Sequence, residues 1–404
     1  MINEILLSSF LGSFVGFVSG LIPALHQNLL IPLLIPLISF NEIFLISFLI
    51  SFAISQNYGN AISSYYLSSP PEELSLSTLP SQRLAKEGLL LEALKIFILA
   101  ASISIPITSF FILFLHSYIS TFISSLERYI GLILIIALYT IFFFEENKLK
   151  SFFIFILSGI FGIYAFNIID FNKAILAIFS GFFACTQIII NLFQKQNFLE
   201  YQEKDVKIKL SKKEILIGIL LSLFVGIFSG LLPSLSVAQI LLLFQPILND
   251  RLFIFSSSAS FFSNEIFSTT SLFTIENPRS GLSVYLEKVL GNVTYEIFVL
   301  FISIFLISSF FASMLFIFSY KSIMNLLKLI NFKVLNVLVL SIIIAIVFVY
   351  SGFIGLLLLF ISTSLGLITI FSNVNRSYLM GSIILSTILI YTNYYTKVLM
   401  FLGI

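Results

Sequence analysis

Tryptophan is absent, cysteine occurs once and histidine twice among 404 residues, and only 10% of the chain is charged. The single cysteine, Cys185, excludes an intrachain disulfide framework. The two histidines, His26 and His116, stand in no HExxH and no paired His/Cys spacing, and neither a Walker-type loop nor a G-x-S-x-G is present. These gaps argue against a zinc protease, an ATP-driven pump and a serine hydrolase, and no enzyme activity is expected. A net charge of +2 on scattered lysines gives no basic footprint for nucleic acid. Without tryptophan, tyrosine alone must supply an aromatic belt at the membrane interface.

Hydrophobic residues, in contrast, make up 59% of the chain, with 48 phenylalanines, and mean hydropathy is +1.10. That balance belongs to an integral membrane protein, with no soluble domain left over. Apolar runs long enough to cross about 30 Å of hydrocarbon recur from end to end. They fall at 2–22, 25–39, 41–57, 89–115, 127–144, 151–168 and 171–192, then again at 213–232, 235–248, 251–272, 284–318, 333–349, 352–371 and 378–401. Each set has seven members and a short second one.

The two sets also match in sequence. At a constant offset of 210, Phe14, Val15, Gly16, Ser19, Gly20, Leu21, Pro23, Leu25, Leu33 and Pro36 face Phe224, Val225, Gly226, Ser229, Gly230, Leu231, Pro233, Leu235, Leu243 and Pro246. Paired glycines and prolines in register indicate an internal duplication: a first membrane repeat over 1–193, a linker over 194–212 and a second repeat over 213–404. The linker carries Lys195, Lys204, Lys207, Lys209 and Lys212, with Lys213 beside it, so it is placed in the cytoplasm and both termini outside. An odd number of crossings per repeat inverts the second relative to the first. The fold expected is an all-α polytopic bundle of two inverted-topology repeats, each with a broken or re-entrant helical hairpin.

The hairpin turns are SGLIPALHQN (19–28) and SGLLPSLSVA (229–238). A proline at membrane depth frees backbone groups that protein, water or ligand must satisfy. Gly20 permits a tight turn, and Pro23 suits the first turn of the next helix, whose unpaired amides form a seat for an anion. Two such seats would make a substrate site from Gly20, Pro23, Ala24, His26 and Asn28 with Gly230, Pro233, Ser234 and Ser236. Alternatively, both breaks are proline kinks that serve packing. The following segments add SQNYGN (55–60) and FFSNEIFSTT (261–270). Glu265, an acid isolated within an apolar span, and Asn57 and Asn264 are candidates for ion coupling. No cofactor is expected beyond Na+ or H+ as a coupling ion, and no metal site is expected. Residues 73–87 read as an amphipathic interfacial helix.

These residues resemble the large membrane subunit of the tripartite tricarboxylate transporters, and in particular its stand-alone archaeal branch. That family carries a duplicated Gly-x-x-Pro-Gly hairpin, followed in the archaeal branch by His-x-Asn, to which Gly20, Pro23, His26 and Asn28 correspond. Its Pro-acidic-acidic, Leu-Pro, Glu-Gly-x-x-x-Glu-Ala loop is matched by Pro71, Glu72, Glu73, Leu79, Pro80, Glu87, Gly88, Glu92 and Ala93, and ENPRSG (276–281) is similar to its Pro-Arg-Ser-Gly loop. Ala24 and Ser234 depart from it, standing where the family has the second hairpin glycine. The resemblance implies a permease for a small anionic, carboxylate-like solute, working in the bilayer by alternating access with Na+ or H+. An extracytoplasmic binding protein and a small membrane subunit are the partners it implies in bacterial systems. Two other readings stay open: a polyprenyl-phosphate or lipid-phosphate carrier, and a non-transporting membrane scaffold.

Overall fold

The computed structural model describes residues 2–22, 27, 30–31, 41–67, 75–143, 145, 147–193, 206–327, 329 and 331–403, and every element among them is helical. Helix α1 (Ile2–Gly20) is followed by α2 (Glu42–Leu67), α3 (Ser75–Lys86), α4 (Leu90–Leu126), α5 (Ile130–Phe143) and α6 (Lys148–Ile168). Next come α7 (Phe171–Phe193, with a π-helical turn at Ser180–Cys185), α8 (Lys212–Leu231) and the short α9 (Val237–Leu242). The chain ends with α10 (Asp250–Thr274), α11 (Gly281–Leu290), α12 (Tyr295–Leu327), α13 (Phe332–Phe371), α14 (Gly381–Tyr391) and α15 (Tyr395–Leu402). Seven helices among the described residues are long and apolar enough to cross a membrane: α1, α4, α6, α7, α8, α12 and α13.

Most apolar runs become helices near their expected limits, because in hydrocarbon only intrahelical bonding satisfies the backbone. The amphipathic reading of 73–87 corresponds to α3. Two expectations are corrected. The run 284–318 is two helices, parted where Gly291 takes φ +62°. The run 378–401 is likewise divided into α14 and α15, with Asn393 at φ +60° between them. Hydropathy averages over such points and cannot see a two-residue change of direction.

Helix starts follow local chemistry. Ser211 and Glu214 form a capping box on α8, Ser236 and Gln239 another on α9, and Ser280 and Ser283 a third on α11. Asn249 caps α10 by accepting from the Leu252 amide at 2.9 Å.

The chain forms two compact units, each taking segments from both halves of the sequence. The first comprises Met1–Ser124, Asn197–Leu232 and Ser236–Ile330. Here α1 lies along α2 and α8 along α10, and small residues let each pair approach closely, as helices in lipid require. A Cβ on Gly20 would stand 2.1 Å from the Gln56 carbonyl oxygen, and one on its counterpart Gly230 would stand 2.7 Å from the Phe267 Cβ. The core of this unit is aromatic: Tyr58, Phe97, Phe262 and Phe316 are fully or almost fully buried, with ring centroids 5.2 Å apart for Tyr58 and Phe262 and 6.1 Å for the stacked Phe97 and Phe316.

The second unit comprises Ser125–Gln196, Pro233–Leu235 and Asn331–Ile404. Within it α6 packs on α14 and α7 on α13. The Tyr378 ring stacks on Phe142 at 5.0 Å, and its hydroxyl donates to Glu145 at 2.9 Å. At the π turn of α7 the Gly181 carbonyl accepts from the Thr186 backbone amide and also from Thr186 Oγ1 at 2.8 Å. Helix α13 changes direction at Gly352, where φ is +67°.

Candidate functional site

The site is built on α2 and α10, the helices that follow the two breaks. Both are unusually polar for buried helices. On α2 Ser55, Asn57, Asn60 and Ser63 are buried, and on α10 Ser263, Glu265, Ser268, Thr269 and Thr270 are buried. SQNYGN and FFSNEIFSTT therefore point inward, and they meet where Tyr58 packs on Phe262. The Tyr58 hydroxyl lies 3.3 Å from Ser309 Oγ and 3.2 Å from Ser313 Oγ on α12. Thr108 of α4 pairs with Ser263 at 2.8 Å.

Glu265 is only 3% exposed. Gln27, beyond the end of α1 and 5% exposed, donates its Nε2 to both Glu265 oxygens, each at 3.1 Å. Its own Oε1 is buried and has no hydrogen-bond partner among the described residues. A carboxylate held by a donating amide, beside an amide oxygen that still accepts, can take a proton or a small cation. The pair joins the two halves of the sequence across 238 positions. No periodicity singles out Gln27 from its neighbours His26 and Asn28; the only local sign of the contact is that Glu265 is an acid within a span, which calls for a partner.

Of the substrate-site candidates, Pro23, Ala24, His26 and Asn28 lie outside the described residues. Gly20 closes α1, is buried, and accepts from Ser63 Oγ at 2.9 Å. Asn57 on α2 is buried, with no partner for Nδ2 among the described residues. Asn264 is half-buried, and its carbonyl oxygen would lie 3.0 Å from a Cβ on Gly230. Pro233 sits in a turn four residues before α9, outside that helix's first turn. Ser236 is the N-cap: its hydroxyl accepts from the Gln239 amide at 3.3 Å, while Gln239 Oε1 accepts from the Ser236 amide at 3.1 Å. Two donors at this helix start are thus already engaged. Ser234 belongs with the second unit, where its hydroxyl is 2.6 Å from Thr387 Oγ1.

At another end of the first unit, Asp250 and Arg251 open α10 with two ion pairs. Arg251 reaches Glu92 through Nε at 2.8 Å and Nη2 at 2.9 Å, and the Lys209 amide also donates to Glu92 at 2.9 Å. This bidentate fork is the geometry that offsets the burial of the Glu92 carboxylate. Arg83 on α3 pairs with Asp250, donating its Nε at 2.7 Å; that bond holds the Arg83 guanidinium above its ordinary pKa. The Arg251–Glu92 contact joins residues 159 positions apart, and no local pattern signals it.

The sequence matches the family model of the tripartite tricarboxylate transporter TctA family over residues 6–381. The chain belongs to the TctA family. It is similar to a protein of Methanocaldococcus jannaschii described as uncharacterised, with 29% identity over 352 residues that cover 83% of this chain and 86% of the relative. No solved structure matches. Seven membrane-length helices in a transporter family make it a multi-pass membrane protein.

Membership gives physical meaning to two positions of this TctA-family protein. Ser234, at the hairpin position where the family resemblance expects glycine, adopts φ +64°, the left-handed region that glycine enters without penalty. Gly88, within the Glu-Gly-x-x-x-Glu-Ala stretch, takes φ +82° and ends α3 in a Schellman motif. Its amide donates to the Ala85 carbonyl at 3.1 Å and that of Leu89 to Leu84 at 2.7 Å. This turn sets Glu92 into the first turn of α4, where Arg251 meets it.

Proposed function

We propose that this TctA-family protein is a secondary active permease that moves a small anionic, carboxylate-like solute by alternating access, coupled to Na+ or H+. The observation that carries this reading is the Gln27–Glu265 pair, which links the first break to the helix after the second. A buried carboxylate inside a membrane bundle is costly and is retained where an ion is bound or moved. In this reading Glu265 holds the coupling ion. Gln27 orients the carboxylate with Nε2 and offers Oε1 to the ion, while Asn57 and Asn264 supply further polar atoms. Solute binds at the two breaks, through Gly20, Pro23, Ala24, His26 and Asn28 with Gly230, Pro233, Ser234 and Ser236. Two inverted repeats with re-entrant hairpins would exchange roles as the site changes sides. The matching placement of Gly20 against α2 and Gly230 against α10 supports that relation. In a tripartite system, an extracytoplasmic binding protein would deliver the solute and a small membrane subunit would complete the assembly.

The test is uptake of radiolabelled di- and tricarboxylates into proteoliposomes under imposed Na+ or pH gradients. Wild-type protein is expected to accumulate at least one of them under one gradient. Glu265→Gln is expected to lose gradient-driven accumulation while keeping exchange of solute across the membrane. Equal accumulation by Glu265→Gln would remove Glu265 from coupling, and no uptake under any gradient, with or without added binding protein, would overturn the permease reading.

A further inference from the structure

Helices α4 and α12 of the first unit enclose a cleft of about 300 Å3. Leu94, Ile98 and Leu99 line it from α4, Phe316 and Ile317 from α12, and Ile208, from the segment preceding α8, closes one end. The wall is apolar except for Ser102 and for that end, where Lys95 and Tyr320 face it. Lys95 is half-buried and its Nζ donates to the Val206 carbonyl at 2.6 Å; among the described residues no carboxylate pairs with it. Glu92, one turn away, is committed to Arg251 and the Lys209 amide. Further cations gather at the same end. Exposed Lys207 and Lys209 flank Ile208, and Lys321 lies over the Tyr320 ring at 5.9 Å from its centroid.

An ammonium that meets no carboxylate among the described residues, at the mouth of a largely apolar cleft, selects its occupant by elimination. Water wets the apolar wall poorly, and a small soluble anion would leave that wall uncovered. A zwitterionic lipid would fill the cleft yet bring no net charge to Lys95. We propose that the cleft is a binding site for an anionic phospholipid, with one acyl chain between α4 and α12 and the phosphate at Lys95, assisted by Lys321 and the Lys207–Lys209 segment. Basic groups beside an interhelical cleft at a membrane interface recognise lipid headgroups through this combination of charge and apolar contact. The site shares no residue with the Gln27–Glu265 pair, so it stands whichever solute is carried.

Thermal unfolding of the full-length protein in mild detergent tests it, with phosphatidylglycerol, phosphatidylcholine of the same chains, and glycerol phosphate as additives. Ligand bound to the native state raises Tm with concentration. Phosphatidylglycerol is expected to raise Tm by several degrees more than phosphatidylcholine, and glycerol phosphate to have no effect. Lys95→Gln, which keeps a donor for the Val206 carbonyl, is expected to halve that difference or more, and Ile98→Trp, which fills the cleft, to abolish it. Lys321→Gln, at an exposed position, provides a milder reduction if either of the others fails to fold. Equal response to the two lipids, an undiminished difference in the variants, or an equal effect of glycerol phosphate would overturn the proposal.

Discussion

The side-chain amide of Gln27 donates to both carboxylate oxygens of Glu265, each at 3.1 Å, in a setting where both side chains are almost wholly buried. Removing that donor takes a charge-assisted hydrogen bond from the buried carboxylate, at a cost of about 1.5–3 kcal/mol. Gln27→Leu is therefore expected to lower unfolding stability by that amount, and Gln27→Leu with Glu265→Leu to cost less than the two single changes together. A double-mutant cycle by denaturant unfolding in detergent measures the coupling; strictly additive values would mean the contact contributes nothing.

The paired charges at the start of α10 should differ sharply in weight. The Glu92 side chain is fully buried and Arg251 is 26% exposed, whereas Arg83 and Asp250 are 56% and 36% exposed. Arg251→Ala strands a buried carboxylate and is expected to cost about 3–5 kcal/mol. Arg83→Ala breaks a solvated pair and is expected to cost about 0–1 kcal/mol, shrinking further as salt screens it. Thermal unfolding at low and high ionic strength separates the two, and similar losses for both would contradict this ordering.

Gly20 tests the close approach of α1 and α2. A methyl group there would meet backbone, the Gln56 oxygen at 2.1 Å and the Asn60 nitrogen at 2.8 Å, so no side-chain rotation relieves the clash. Gly20→Ala is expected to cost about 1–3 kcal/mol by overpacking and to lower the yield of folded protein in detergent. A stability equal to wild type would show that the two helices part easily.

Ser234 balances two opposed effects. Its left-handed backbone costs about 1–2 kcal/mol for an L-residue, while its bond to Thr387 contributes about 0.5–1.5 kcal/mol. Ser234→Gly loses the bond and the strain together and should leave Tm nearly unchanged. Ser234→Ala loses only the bond and should lower stability by about 1 kcal/mol, as should Thr387→Val. If Ser234→Gly proves as damaging as Ser234→Ala, backbone strain at this turn is negligible.

Legibility varied with the range of the interaction. The runs that became α1, α6, α7 and α8 were readable within a few residues, because length and apolarity alone dictate a helix in hydrocarbon. The division of 284–318 at Gly291 and of 378–401 near Asn393 was not, since one residue with positive φ redirects a chain without altering its hydropathy. Glu265 was legible because an isolated acid stands out against apolar neighbours. Gln27 was not, because an amide beside a histidine gives no sign of which side chain will reach across the fold.

By itself the sequence determined that this is a membrane protein of many helices, and that Gly-x-x-Pro recurs in its two halves at a constant offset of 210. Those properties depend on composition and on residues close in the chain, where hydropathy and backbone chemistry act. The tertiary structure decided the pairings: Gln27 with Glu265, Arg251 with Glu92, Tyr58 with Phe262, and Lys95 with a largely apolar cleft. Each joins atoms a few ångströms apart in space, and in the first three they come from residues far apart in sequence. Burial then makes every unmatched polar group costly, so the partner is set by packing, which local sequence does not encode.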